Sequence, residues 1–417
     1  MGIVFAFRRR KLQIIKWASI VFITFYGSVI YLSEESDGYM HSKKVYDYYL
    51  EMTPGQFFGH FGDVLTFTKS EQDLQPDLYI HILSYVVGSV LQMPRLFFVV
   101  VAFVYAFFYI GTLFKVIRFV PGFKYDWLFY LFLYLLVVWK GIEGINTVRT
   151  YTGLWVLAYG MVSYFQTKKY RYLFYIFCVP FIHFSYYIMA IPAWFVLFAG
   201  NRPRFYSLLF FFSFFVSIIN PQTAIESLSE TEIGEQKTKS YGVEDEVTTE
   251  AILADYQQKG TNWYVTLGRA GFHIWAVKVL ALFIILRGYY RSRMTEVEAK
   301  LFGVGILTMF LSSSAWFIFA LSARSSIVAG IFILIPFIMM AQRGAFNHQT
   351  GKMVYWERVA LVSILLFTVP MMVLRMAEVL SFTSFFVVSL PCIVWMFPDA
   401  NLPLNEAIKF AIGFKKG

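Results

Sequence analysis

The stretch LQIIKWASIVFITFYGSVIYL, residues 12–32, decides how this chain is to be read. Its apolar residues run on without the alternation of a barrel strand. At 1.5 Å per residue, a helix of this length crosses a hydrocarbon core of about 30 Å. The basic cluster Arg8 to Lys11 precedes it and no small-residue cleavage site follows, so it is expected to remain as an anchor rather than leave as a signal peptide. Runs of about 18 or more apolar residues recur as far as Phe397. The 417 residues are 58% hydrophobic, 20% aromatic and only 15% charged, a balance that excludes a string of soluble domains. The expected fold is an all-α polytopic integral membrane protein, one transmembrane domain over 1–417.

A net charge of +10 would suit a nucleic-acid binder if the basic residues were pooled, but they alternate between loops instead, and no nucleic-acid partner is expected. The basic loops at 1–16, 115–124, 168–171, 201–204, 287–300 and 341–358, with the tail holding Lys415 and Lys416, are assigned to the cytoplasm. The connections at 33–77, 140–148, near His183, and at 221–262, 317–324 and 374–378 face outward. Residues 78–92, LYIHILSYVVGSVLQ, are short for a span and carry His81, so they are assigned to a re-entrant or interfacial helix. Making them a full crossing would put Lys115 to Lys124 outside, against the charge rule. About 12 transmembrane helices follow, with both termini cytoplasmic.

The first outward loop is 33–77, and the acidic loop 221–262 forms a small outward cap with one short helix in TTEAILADYQQKG. Cys178 and Cys392 fall inside apolar runs and imply no disulfide or metal framework.

An ionisable side chain within a span costs about 2.5–3.5 kcal/mol on insertion scales, which makes each one a functional candidate. Lys140, Arg149, Arg269, Arg324 and Arg375, with His183 and His273, all gather at or just below the outer surface in this topology. Arg149 opens the span NTVRTYTGLWVLAYGMV, where a helix N-terminus adds positive potential for a phosphate. Arg269 lies deeper, one turn before His273 in YVTLGRAGFHIW, and an acid such as Glu143 or Glu378 is a plain structural partner for it. Arg324 follows the hydroxyl-rich stretch SSSAWFIFALSA, begins the next helix and mirrors Arg149. His183 stands at an outward turn in CVPFIHFSYYIMAIP, and His81 sits one turn after Asp77, which is positioned to orient it. Interfacial snorkelling is the ordinary role of arginines near span ends, and hydrogen bonding that of a lone histidine. Together the cations outline an outward-facing cavity suited to phosphate or pyrophosphate, because a guanidinium binds two oxygens at once. No metal-ligand spacing, Gly-rich phosphate loop or nucleophile elbow is present, and no cofactor is expected.

From Asn146 to Pro192 the chain resembles the Wzy-type polysaccharide polymerases, specifically their EpsG-like branch. An arginine opens a span in INTVRTYTGLWVLAYGMV, the basic loop QTKKYRY follows, and a segment ends in HFSYYIMAIP. Thr150 stands where that family often has glutamine. Weaker echoes are Asp37 and the run VYDYYLEM after the first span, QPDLYIHILSY before the second, and LSARSSIVAGIFILIP late in the chain. The resemblance implies a metal-independent glycosyltransferase of the bacterial inner membrane, making O-antigen, capsule or exopolysaccharide on the periplasmic face. A glycan on undecaprenyl pyrophosphate is moved onto another lipid-linked repeat unit, and undecaprenyl pyrophosphate leaves. A flippase and a chain-length regulator are the implied partners. In that scheme Arg149, Arg324, Arg269 and Lys140 hold the pyrophosphate, and His183 is the candidate base, with Glu143 and Asp77 as rivals, Glu143 also lying close enough to Lys140 simply to pair with it. His273, Arg375 and His81 are secondary candidates.

Other readings stay open at this point. An O-antigen ligase would share the arginines, and a lipid-linked oligosaccharide flippase or transporter would share the helix number, though transporters usually keep charges near the midplane and show repeats. A glycosyltransferase of the GT-C type would use an acid of the first outward loop, where Glu34, Glu35 and Asp37 stand, or those acids are simply solvated. A non-catalytic scaffold leaves the intramembrane arginines unexplained.

Overall fold

The computed structural model describes residues 2–34, 36–66, 75–117, 127–215, 263, 267, 271–316, 318–346, 352–384 and 403–411. Loop 221–262 with its expected short helix, Arg269, and the tail lysines 415 and 416 lie outside the described residues. Within them every named element is a helix, and the strand-like contacts are two isolated antiparallel bridges, Ile30 with Thr383 and Ser384 with Pro403.

The first half of the chain forms α1 (Gly2–Ser28), α2 (Asp37–Lys44), α3 (Pro54–Thr66), α4 (Leu78–Tyr85), α5 (Phe97–Ile117) and α6 (Trp127–Trp139). Next come α7 (Thr150–Thr167), α8 (Arg171–Ile182), α9 (Tyr186–Met189), α10 (Ile191–Ala199) and α11 (Pro203–Phe212). The remainder forms α12 (Phe272–Leu286), α13 (Glu296–Ser314), α14 (Phe319–Gln342), α15 (Lys352–Leu366) and α16 (Val369–Phe382).

Among the described residues four helices are long and apolar enough to cross a membrane: Pro94–Ile117, Trp127–Thr147, Glu296–Ser314 and Ala320–Gln342. A fifth span results if Tyr355–Leu366 and Val369–Phe382, bent by 47° at their break, count as one. Other apolar runs fold as shorter pieces, Leu78–Val90, Arg171–Ile182, Tyr186–Ala199 and Phe272–Leu286. Helices of 10–17 residues reach only about 15–26 Å, short of a hydrocarbon core. The chain leaves α8 at His183, extended at φ −155° and ψ 127°, between Ile182 and Phe184.

The hub is the antiparallel pair α13 and α14. In the span Ala320–Gln342, 94% of the most apolar window is buried inside the protein, against 61% for Pro94–Ile117, so α14 faces helices while α5 keeps a surface for lipid. Thr295 caps α13, its hydroxyl accepting from Glu298 N at 3.3 Å while the Glu298 carboxylate accepts from Thr295 N at 2.8 Å. The same carboxylate takes Nε of Arg343 at 2.8 Å and Nη2 at 2.7 Å, which staples the start of α13 to the end of α14. At the opposite end Ser312 and Ser322 exchange hydrogen bonds with each other's carbonyls at 2.8 and 2.9 Å.

Close helix approach in lipid depends on small residues. A Cβ on Gly330 of α14 would stand 2.4 Å from the Trp139 indole, so α6 docks there only against glycine. Trp139 Nε1 then donates to Ile327 O at 3.1 Å. On the other flank α7 packs on α5 and α8, and α1 lies along α5.

Candidate functional site

Four of the residues singled out from sequence meet at one point. Asp77 precedes α4 and is 2% exposed. Its Oδ2 accepts from Arg149 Nη1 at 2.5 Å and from His183 Nδ1 at 3.0 Å, and its Oδ1 accepts from Phe184 N at 2.8 Å. Beyond the imidazole, Arg324 Nη1 reaches His183 Nε2 at 3.2 Å. Arg149, Asp77, His183 and Arg324 therefore form one continuous chain drawn from four separate segments.

Local backbone aims each member. Ahead of Arg149, residues Ile142–Thr147 make a 3-10 helix, and Val148 turns the chain at φ 52° and ψ −55°. Arg149 N bonds back to Thr147 O at 2.5 Å, closing a γ-turn. A β-branched residue at positive φ is strained, and such strain collects at functional sites. The turn lets Arg149 stand as the N-cap residue of α7, beside Asp77. Pro180 lies in α8 just before His183, and α9 follows at Tyr186, whose hydroxyl donates to Thr150 O at 2.8 Å and pins this corner to the start of α7. Arg324 does not begin a helix as its sequence suggested. The helix starts at Phe319, because part of the hydroxyl-rich stretch is itself helical, and Arg324 stands in the second turn.

The charges in this chain are mutually determined. Burial works to raise the Asp77 carboxyl, but the His183 hydrogen bond and the charge and hydrogen bond of Arg149 outweigh it and hold the group well below the usual carboxylate range. Burial pushes His183 down to about 4 despite Asp77, with Arg149 and Arg324 adding to the fall. At neutral pH the imidazole is thus neutral, with its proton on Nδ1 facing the carboxylate and its Nε2 lone pair facing Arg324. Both ring nitrogens of His183 are engaged, and it is 1% exposed.

The remaining candidates fall elsewhere. Lys140 and Glu143 pair at 3.5 Å, both buried, and Lys140 Nζ lies 4.2 Å from the Tyr151 ring centroid. Arg375 pairs with Glu378 at 2.6 Å. Glu143 and Arg375 share the wall of an otherwise apolar cavity of about 560 Å³ between α1, α5, α6 and α16. His273 stands edge-on to Trp139, ring centroids 5.3 Å apart. His81 is not oriented by the Asp77 carboxylate: its Nδ1 lies 2.5 Å from the Tyr49 hydroxyl and its ring stacks on Phe57 at 4.8 Å, while only its backbone N–H reaches Asp77 O. One turn along a helix brings a side chain over the preceding backbone, not over a carboxylate already committed to three donors.

Beside this chain lies a group of which sequence reasoning named only Asp37, and missed its partners. Asp37 opens α2, and α2 packs against the 142–147 turn, where a Cβ on Gly38 would stand 2.5 Å from Asn146 Oδ1. His41 and Gln75 join Asp37 there. The usable signal was the Asp-x-x-x-His spacing on one helix face together with Gln75, two residues before Asp77.

Comparison with protein-family models, curated proteins and solved structures finds no match to this chain.

Proposed function

We propose that this protein is a polysaccharide polymerase that joins undecaprenyl-pyrophosphate-linked repeat units and releases undecaprenyl pyrophosphate. The observation that carries the reading is the pair of arginines, Arg149 and Arg324, at the two ends of a buried chain through Asp77 and His183. Two guanidinium groups and one carboxylate leave that chain net positive, as a site for a pyrophosphate leaving group requires. Fixed cations in a water-poor site stabilise charge that develops as the sugar–phosphate bond breaks. The motif resemblance over Asn146 to Pro192 points the same way.

In this scheme Arg149 and Arg324 bind the pyrophosphate. Asp77 and His183 are positioning residues, since their polar atoms are spent on the arginines and on Phe184 N. The pairs Lys140–Glu143 and Arg375–Glu378 stand apart as structural charges. About 12 crossings, cytoplasmic termini and an inner-membrane location complete the proposal, with the site on the outer face. The short helix Leu78–Val90 serves in it as the re-entrant piece.

The test is glycan chain length in cells carrying wild type, Arg149→Ala or Arg324→Ala, with membrane levels measured in parallel. Well-expressed variants should accumulate single lipid-linked units and no ladder. A full ladder from both variants would remove the arginines from the chemistry and the polymerase reading with them.

A further inference from the structure

A polymerase needs a group to take the proton of the attacking sugar hydroxyl; the polar atoms of the buried His183 and Asp77 are already committed, and Glu143 lines the separate cavity between α1, α5, α6 and α16. The amide of Gln75 points to another group. Gln75 Nε2 donates to His41 O at 2.9 Å and to Ser84 Oγ at 3.1 Å. A carbonyl can only accept, so the amide nitrogen must face it and Oε1 must face the other way. There Oε1 meets His41 Nδ1 at 2.6 Å, and Nδ1 therefore carries a hydrogen.

That settles the other side of the ring. With Nδ1 protonated, a neutral His41 would turn the Nε2 lone pair toward Asp37 Oδ1, which lies 3.4 Å away. Two acceptors at that distance repel, which a proton between them relieves. The His41 side chain is 6% exposed and that of Asp37 is 47% exposed. The dyad thus has one open end, and it is the carboxylate.

Its location is set by packing. The close contact of Gly38 with Asn146 holds α2 on the turn that delivers Arg149. Burial works to raise the Asp37 carboxyl, but the hydrogen bond and charge of His41, then the charges of Arg149 and Arg324, hold it below its ordinary range. These three are the charged groups among the described residues whose fields bear on it, and they favour the carboxylate form of Asp37.

We propose that Asp37, held beside His41, is the general base of this site. The inference rests on the polymerase reading above. The hydroxyl of the acceptor sugar gives its proton to the Asp37 carboxylate as its oxygen bonds the anomeric carbon of the donor. The bond from that carbon to the pyrophosphate oxygen breaks, and its electron pair leaves with undecaprenyl pyrophosphate between Arg149 and Arg324. His41 is a positioning residue that holds the carboxylate and sets its proton affinity.

The test uses the full chain in lipid nanodiscs with a lipid-linked repeat unit as donor and acceptor, comparing wild type, Asp37→Asn, Asp37→Glu, His41→Gln and Lys43→Ala. General-base loss is expected to lower kcat of Asp37→Asn by about 100-fold or more, with KM for the lipid-linked unit within about twofold. Asp37→Glu keeps a carboxylate and should recover part of kcat, which separates chemistry from misfolding. His41→Gln should move the acidic limb of the kcat–pH profile, and Lys43→Ala, exposed on the same helix, should leave both constants unchanged. Asp37→Asn within about threefold of wild-type kcat overturns the base while leaving the polymerase reading intact. No ladder from wild type overturns that reading, and the base falls with it.

Discussion

Replacing Asp77 by asparagine changes almost no volume, yet it should be among the most damaging substitutions in this protein. The carboxylate is enclosed by three donors, at 2.5 Å from Arg149, 3.0 Å from His183 and 2.8 Å from Phe184 N. Asparagine keeps one oxygen for the Phe184 N–H and turns an NH₂ toward the other two, which are also donors. His183 can relieve its half of the conflict only by moving its proton to Nε2, and that proton then points at Arg324, 3.2 Å away. Either arrangement breaks the chain at one end. Removing one partner of a buried ion pair costs about 3–5 kcal/mol. The Arg149 side chain is 19% exposed, so water recovers part of that and the lower end is expected. Contacting charges couple by up to about 3 kcal/mol in double-mutant cycles, so Asp77→Ala and Arg149→Ala should be strongly non-additive. Unfolding from mixed micelles at rising dodecyl sulfate, followed by tryptophan fluorescence, measures the cycle. A coupling below about 0.5 kcal/mol would show that the contact carries no weight and would sink the argument.

Arg324→Ala removes the hydrogen bond to His183 and should destabilise less than Asp77→Ala in the same unfolding assay while abolishing the glycan ladder. A stability loss as large as that of Asp77→Ala would make Arg324 a structural residue. On acidification the buried His183, held near 4 against an ordinary 6.5, resists the proton that the unfolded chain accepts. The stability it confers is full above about pH 6.5 and lost toward pH 4. Asp77, depressed below 3.8, adds a second loss under that pH. Melting midpoints that stay flat from pH 7 to pH 4 would contradict a buried neutral imidazole. Gly330→Val should destabilise by about 1–3 kcal/mol, since its Cβ would overlap the Trp139 indole, and a wild-type midpoint would place α6 elsewhere. Glu298→Gln should loosen the joint end of α13 and α14 through the Arg343 pair, read as a midpoint lowered more than that of the exposed Glu296→Gln.

What the sequence made legible follows from cost. Arg149, Arg324, His183 and Asp77 were each visible because a polar side chain among apolar neighbours is expensive and demands a reason. Their meeting was not visible. Asp77 and Arg149 are 72 positions apart, and Asp77 and His183 are 106 apart, and no local spacing encodes such contacts. The pairs Lys140–Glu143 and Arg375–Glu378 lie three apart, within reach of i, i+3 reasoning, which gave Lys140 for Glu143 but offered only Arg269 for Glu378. Helix type was legible from the continuous apolar runs, whereas helix ends were not. The breaks at Gln92 and His183 were legible from their polar residues, whereas the exact helix ends on either side were not. Asp37 was legible only as one of three acids in the first outward loop, because an acid in a polar loop is ordinary until its partners, His41 and Gln75, are known.

The arrangement also explains why the strained turn at Val148 is tolerated. A relaxed turn would let α7 begin earlier and swing Arg149 away from Asp77, leaving a carboxylate that is 2% exposed with an imidazole and one backbone N–H as its remaining donors. An ionised group in that position needs its guanidinium, and a broken buried pair, at about 3–5 kcal/mol, outweighs backbone strain of about 1–3 kcal/mol. The strain is therefore held in place by the ion pair, and Asp77→Ala should release both. In that variant Val148→Gly should cost less than it does in the wild-type background, where the same change also loosens the turn that aims Arg149. Equal costs in the two backgrounds would mean that turn and ion pair are independent, and that Arg149 is aimed by something else.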